Sequence, residues 1–491
     1  MAARIPDAVP LFLWLSLAVV LASVVAALAG ASALHPGTGE IIAAQNLLAA
    51  ANIRRLLVEM PRTFTGFAPL GSVLTIMIGI GIAERSGLIA AALGGLVRRA
   101  PARLLPLVVV FAGIMSSLAV DAGFLVLPPL AAAIFAAAGR HPIAGVTAAY
   151  AGVSGGFSAN LFVTGLDPLL GGITETAARM LAPGYTVLPT ANWFLMATLV
   201  PVLSLAGALV TTRIVEPRLG SWQPPQAFVA TACDETADTR RALRLTGLAG
   251  LACVALLAWL TLPEGAVLRD PETGSLQPFF QAIVAVLMLG FAALGLVYGR
   301  AAGTIRTAIE AVQMAEKSMA DMALYILVAF VAAHFLALFN WSNLGALIAI
   351  SGAGLIGSLG LGALPLVVGI VLFCGLLNLL MTSASAKWAL LAPVLVPMFL
   401  AAGIAPELTQ AAYRIGDMGT NIIAPTMVYL PLLIVVIARY QPGFGIGPML
   451  AAMLPYSLVF LSLGMAVLLL FVGLGLPLGP GAPPLLVPPS G

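Results

Sequence analysis

"AAYRIGDMGTNIIAP", residues 411–425, sets Arg414 and Asp417 three positions apart in a chain of 491 residues that is 61% hydrophobic and 8% charged. Ordinary soluble domains carry about 25% charged residues. Apolar runs of about 20 residues, enough to cross about 30 Å of hydrocarbon as a helix, recur from 11–34 to 449–477. The composition therefore reads as an all-α polytopic membrane protein, and 411–425 is a polar intrusion deep within it. A charge at the bilayer centre costs about 2.5–3.5 kcal/mol, so Arg414, Asp417, Lys387 and Asp121 together cost roughly 10 kcal/mol or more if nothing pairs or solvates them. On a helix Arg414, Asp417 and Asn421 fall at i, i+3 and i+7, one face, where Arg414 and Asp417 are expected to neutralise each other while Thr420 and Asn421 add hydrogen bonds. Two readings of this pair stand: a buried structural salt bridge, or a site where Arg414 holds an anionic group and Asp417 takes up a coupling cation.

The stretch also belongs to a repeat. Shifted by 264, residues 122, 127, 129, 135, 137, 138, 139, 142, 148 and 152 meet identical residues at 386, 391, 393, 399, 401, 402, 403, 406, 412 and 416, and Phe124 faces Trp388. The matched Pro and Gly positions carry the weight, because small residues match by chance. Each copy has a hairpin-like segment with small hydroxyl residues, a charge and a Pro, expected near 115–140 and 379–403. Each then has Gly-x-x-Pro and a helix that turns polar, "AGVSGGFSANLFVTGLDP" and "RIGDMGTNIIAP". In transporters such repeats build the substrate site where they meet, from helices broken at mid-membrane.

The remaining organisation follows from charge and punctuation. Residues 1–212 read as a first membrane half, 213–244 as a linker with Pro224-Pro225, 245–477 as a second half, and 478–491 as a disordered Pro-rich tail. Arginine clusters put 213–244 and 299–320 in the cytoplasm, and the acidic loop 263–278 outside. The first run, Leu11–Leu34, exceeds the 7–15 residues of a signal core and reads as an uncleaved span. Cys233, Cys253 and Cys374 lie far apart, and with three histidines they argue against a disulfide framework, zinc or haem. No G-x-x-x-x-G-K-[ST] or H-E-x-x-H occurs, and His141 and His334 have no obvious Ser partner, which disfavours direct ATP drive and intramembrane catalysis, and nothing points to nucleic acid.

Around Arg414 and Asp417 the candidate cavity residues are Ser383, Ser385 and Trp388 of "SASAKW", Asn378, and Ser154, Ser158 and Asn160 of the first copy. Each also has a plainer reading: Trp388 as packing, the serines as bonded to their own backbone, Asp167 as a helix cap rather than a proton-carrying carboxylate. Asp121 and Lys387 read equally well as site or membrane-surface residues. His334 and Trp341 read as packing and interface residues, and Glu84-Arg85 as the end of a span.

"GIGIAERSGLI", "SANLFVTGLDPLLGGIT", "FNWSNLG", "SASAKWALLAPVLVPM" and "PELTQAAYRIGDMGTNIIAP" occur in order across residues 79–425. In this the chain resembles the AbgT family, named for p-aminobenzoyl-glutamate transport. The resemblance implies a homodimer in the bacterial inner membrane, nine transmembrane helices with two re-entrant hairpins per subunit, and an inverted repeat like that of dicarboxylate transporters. It implies transport of p-aminobenzoyl-glutamate, an aromatic anion, or export of sulfonamide-type antimetabolites, driven by protons with sodium as a second candidate ion. Carried over by motif, Trp388, Pro406 and Arg414 would serve the substrate, Asp417 and Asp167 the protons, and Asn378 with Asp417 a sodium ion. Thr382 stands where the family pattern has Gly, and "APTMVYLP" replaces "TPLMPYFP", which changes the walls of the cavity. The alternatives are a sodium-coupled dicarboxylate-like carrier and, from other classes, a channel or an intramembrane enzyme.

Overall fold

Residues 8–34, 39–118, 122–222, 237–358, 360–425, 427 and 429–486 are described in a computed structural model, so Asp121 and Cys233 lie outside the described residues. The chain is helical nearly throughout, with one small antiparallel pair, Ser32–Leu34 and Ile41–Ala43. Among the described residues eight stretches are long and apolar enough to span a bilayer, from Val9–Leu28 to Ile446–Gly473. Shorter apolar helices accompany these eight, Leu88–Arg98, Leu105–Met115, Gly123–Ala137, Leu344–Leu355 and Ala363–Asn378.

The 264-residue repeat is a repeat of structure. In the first copy Leu105–Met115 and Ala122–Ala137 are two arms lying against a core helix, Pro142–Gly155; in the second, Ala363–Asn378 and Ala384–Ala401 lie against the core helix Pro406–Asn421. The expected bounds, 115–140 and 379–403, thus cover each returning arm, while the entering arms, Leu105–Met115 and Ala363–Asn378, begin earlier. Each returning arm ends on a glycine in the left-handed region, Gly139 at φ +70° and Gly403 at φ +81°. Arg140 N then donates to Phe135 O at 2.8 Å, and Ile404 N to Phe399 O at 2.9 Å, the closure by which glycine-ended helices satisfy their last carbonyls. Pro142 and Pro406 follow in the first turn of the core helices, where a missing N–H leaves no bond unmade. The repeated Gly-x-x-Pro is this turn.

Close backbone approach repeats as well. A Cβ on Gly152 would lie 2.5 Å from Val110 O, and one on Gly416 would lie 2.4 Å from Val371 O. Each core helix therefore sits directly on its entering arm.

After each core helix the chain unwinds and crosses to the other copy. Leu166–Ala178 packs on the second returning arm and second core helix, and Leu430–Ala438 packs on the first returning arm and first core helix. The two repeats are interlocked, with the site at their junction. Outside it, Ala68–Arg85 packs against Ile283–Ala302, which also supports the apolar, outward-facing Ala237–Thr261.

The tail departs from expectation. Residues 478–486, read as part of a disordered end, fold back: Leu478 and Ala482 are buried, Leu195 N donates to Leu478 O, and Ala405 N donates to Pro484 O just before the second core helix. Leu478 joins the apolar core and Leu486 packs against it, while Leu485 stays exposed.

Candidate functional site

Every residue of the second core helix, Pro406–Asn421, is buried. A polar helix placed there must satisfy its side chains internally, and its partners define the site. Arg414, Asp417, Asp167 and Lys387 are 4%, 2%, 2% and 0% exposed.

The expected mutual pairing of Arg414 and Asp417 does not form; each pairs with a different helix. Arg414 Nη1 lies 2.6 Å from Asp167 Oδ1, in the first turn of the crossover helix Leu166–Ala178. Asp417 Oδ1 pairs with Lys387 Nζ on the second returning arm, and Asp417 Oδ2 accepts from Asn421 Nδ2 at 2.8 Å. The reason is competition: i, i+3 spacing brings the two groups near each other, but Lys387 and Asp167 face them head-on across the helix interfaces. Lys387, with a membrane-surface position as one reading, lies at the centre of the cluster.

The other predicted residues fall around these pairs. Asp167 closes the turn before its helix and also enters the cluster: Oδ2 accepts from Thr164 N at 2.6 Å and Thr164 Oγ1 at 2.9 Å while Oδ1 faces Arg414. Ser158 Oγ donates to Arg414 O at 2.9 Å. Asn160 Nδ2 donates to Ser117 Oγ, at the tip of the first hairpin. Ser383 caps the second returning arm, accepting from Ala386 N. Arg414 Nη2 donates to Phe157 O at 3.4 Å, and Arg414 Nε finds no partner among the described residues. Such a buried orphan donor calls for water or a ligand.

Trp388 is fully buried. Its ring stacks on Tyr413 with centroids 4.6 Å apart, and Nε1 donates to Thr174 Oγ1 at 2.9 Å. The Thr174 hydroxyl lies 2.7 Å from Gln410 Oε1. Sequence reasoning missed Thr174, Gln410, Tyr413 and Glu407. Two of them had a signal: Glu407 and Gln410 extend the Arg414, Asp417, Asn421 stripe towards the helix start with the same three- and four-residue steps. Glu407 Oε2 accepts from Tyr185 OH at 2.8 Å and borders a cavity of about 680 Å³, also lined by Glu175, Thr186, Gln277 and Gln281.

The residues do not fit the implied sodium ion. Asn378 Oδ1 and Asp417 Oδ1 both accept from Lys387 Nζ, and Met381 O lies 3.4 Å from the same ammonium. Among the described residues no group of three or more His, Cys, Asp or Glu side chains is placed to hold a metal.

The sequence matches the AbgT putative transporter family over residues 1–486. The chain belongs to the AbgT family. It is 36% identical over 483 residues to the p-aminobenzoyl-glutamate transport protein of Escherichia coli strain K12, covering 98% of this chain and 95% of that one. Two solved AbgT relatives superimpose with a TM-score of 0.92. The Alcanivorax borkumensis YdaH transporter is 43% identical, with 97% of this chain and 100% of that one covered. Neisseria gonorrhoeae MtrF, assigned to a class of antimetabolite efflux pumps, is 42% identical, with 98% of each chain covered. The chain is thus a multi-pass helical membrane protein of a transporter family.

Proposed function

We propose that this protein is a proton-coupled secondary transporter of p-aminobenzoyl-glutamate-like aromatic carboxylates or sulfonamide-type antimetabolites, working by alternating access as a homodimer in the bacterial inner membrane. The relatives supply the substrate classes. The observation that carries the mechanism is the Arg414–Asp167 pair, a buried guanidinium held by one carboxylate and with Nε unpartnered among the described residues.

Removing one partner of such a pair costs about 3–5 kcal/mol because it strands a charge. The pair therefore opens along two routes only: an incoming anion displaces Asp167 from Arg414 and Asp167 then takes up a proton, or a proton neutralises Asp167 first and a ligand carboxylate or sulfonyl group then satisfies Arg414. Either route makes ligand entry and proton exchange at Asp167 depend on each other. Asp417, whose two oxygens are held by Lys387 and Asn421, is the second carboxylate able to exchange a proton in the cluster. Trp388 is stacked on Tyr413 in the structure, and a flat aromatic ligand takes the place of one of these rings. The turn before Pro406 gives the returning arm a hinge against the core helix.

The test uses purified protein in proteoliposomes with labelled p-aminobenzoyl-glutamate and a labelled sulfonamide. Net accumulation should follow an imposed proton gradient, vanish when a protonophore collapses it, and lose its pH dependence in Asp167→Asn. Accumulation indifferent to the gradient, or ion conductance without accumulation, would overturn the reading.

A further inference from the structure

We propose that Lys387 is a tethered cation occupying the position a coupling sodium ion would take, so that the transport cycle runs without sodium. The proposal rests on the transporter reading and goes beyond it by excluding one of the two candidate ions. An ammonium group has three N–H donors and no acceptor. Around Lys387 Nζ stand three oxygens, Asn378 Oδ1, Asp417 Oδ1 and Met381 O, and the side chain is wholly buried. The Tyr413 ring lies 5.4 Å away and presents its face to the charge.

The acceptors are held in place from behind. Asn378 Nδ2 lies 3.1 Å from Asp417 O, 3.0 Å from Thr420 Oγ1 and 2.9 Å from Asn421 Oδ1. The amide is thereby oriented with its oxygen towards Lys387. A carboxylate, an amide oxygen and a main-chain carbonyl at a helix break are ligands that suit a hard monovalent cation. Here the chain supplies that cation itself. Charge balance agrees: Lys387 and Arg414 offset Asp167 and Asp417, and an added sodium ion would leave a positive charge buried without a partner. Replacing Lys387 with a neutral side chain reverses the balance and leaves the three oxygens free for sodium.

The experiment compares the full-length wild type with K387M and K387Q, in sodium chloride and in choline chloride of equal strength. One readout is the thermal unfolding midpoint of the detergent-solubilised protein; the other is p-aminobenzoyl-glutamate flux in proteoliposomes. The wild type should show the same midpoint and the same flux in both salts. In at least one variant sodium should raise the midpoint by a few degrees, as expected for an ion that binds only the folded state, and should raise flux relative to choline. A wild-type midpoint that rises with sodium, wild-type flux lost in choline, or folded variants indifferent to sodium would overturn the proposal. The midpoint reads ion binding alone, so it remains decisive even if p-aminobenzoyl-glutamate is not carried.

Discussion

The two repeats have one architecture and two chemistries. Where the second core helix carries Asp417 the first carries Val153, and where the second returning arm carries Lys387 the first carries Gly123. The geometry is kept: a Cβ on Gly123 would lie 3.3 Å from Val153 Cγ1, so the positions that form an ion pair in one copy form an apolar contact in the other. Arg414 likewise answers to Tyr150, and Trp388 to Phe124, which stacks on Tyr429 at 4.2 Å. At the positions of Lys387, Asp417 and Arg414 the first copy packs with Gly123, Val153 and Tyr150, without an ion pair. Buried pairs add little net stability over apolar replacements, so packing alone does not call for the charges of the second copy. This weighs against the purely structural reading of the salt bridges.

The comparison breaks most severely if the charges are removed one at a time. Arg414→Met should destabilise by about 3–5 kcal/mol, because it strands Asp167 at 2% exposure. Arg414→Met combined with Asp167→Leu removes the whole ion pair that joins the two copies, and should recover most of that loss while leaving no substrate flux. Unfolding midpoints in detergent and flux in vesicles, measured on the same preparations, separate the two effects. A double variant with wild-type flux would return the pair to a structural role.

The converse substitution is next in size. Val153→Asp gives the first copy the acid of the second without its lysine, at a site 1% exposed. A loss of about 2.5–3.5 kcal/mol is expected by analogy with charges at the membrane centre. A cation at Gly123 does not rescue it, since a Cβ there would lie 2.2 Å from Ser116 Oγ. The checking measurement is the yield of monodisperse protein for Val153→Asp against Val153→Asn.

A third pair of substitutions should affect both copies alike. Gly152→Ala and Gly416→Ala each push a methyl group into a backbone carbonyl of the entering arm, at 2.5 Å and 2.4 Å. Overpacking of this kind costs about 1–3 kcal/mol. Similar drops in unfolding midpoint would show that the repeat is mechanical as well as topological; a drop confined to Gly416 would tie the close approach to the site instead.

Much of this is written in the sequence, but not the partners. The apolar runs establish the membrane class, and the matched Gly and Pro positions mark the turns because only glycine adopts φ near +70° freely and proline suits a first helical turn. The polar face of the second core helix follows from the spacing of Arg414, Asp417 and Asn421. Spacing along one helix says nothing of what faces it, and so Asp167 and Lys387 remained hidden as the true counter-ions. The interlock was hidden for a similar reason: a linear offset equates Leu166–Ala178 with Leu430–Ala438 but does not reveal that each packs on the opposite copy. Composition also misjudged 478–486, since the fraction of proline does not report whether Leu478 joins the core.

The smallest effect comes where the asymmetry runs the other way. Ser158 of the first copy answers to Ile422 of the second, which is wholly buried. Its hydroxyl donates to Arg414 O at 2.9 Å, a bond from the unwound end of the first core segment to the middle of the second core helix. Ser158→Ala removes a donor and leaves a carbonyl that also serves the helical ladder, so the loss should be about 0.5–1.5 kcal/mol. If the hydroxyl only sets the height of Arg414 against Asp167, maximal flux should fall modestly and KM for p-aminobenzoyl-glutamate should stay close to the wild-type value. If the ligand takes the hydroxyl as a direct partner, KM should rise much more than stability falls, and Ser158→Thr, which keeps the donor, should restore it. The second outcome would move Ser158 from the frame of the site into its binding surface, and would make the first copy a contributor of ligand contacts as well as of the carboxylate at Asp167.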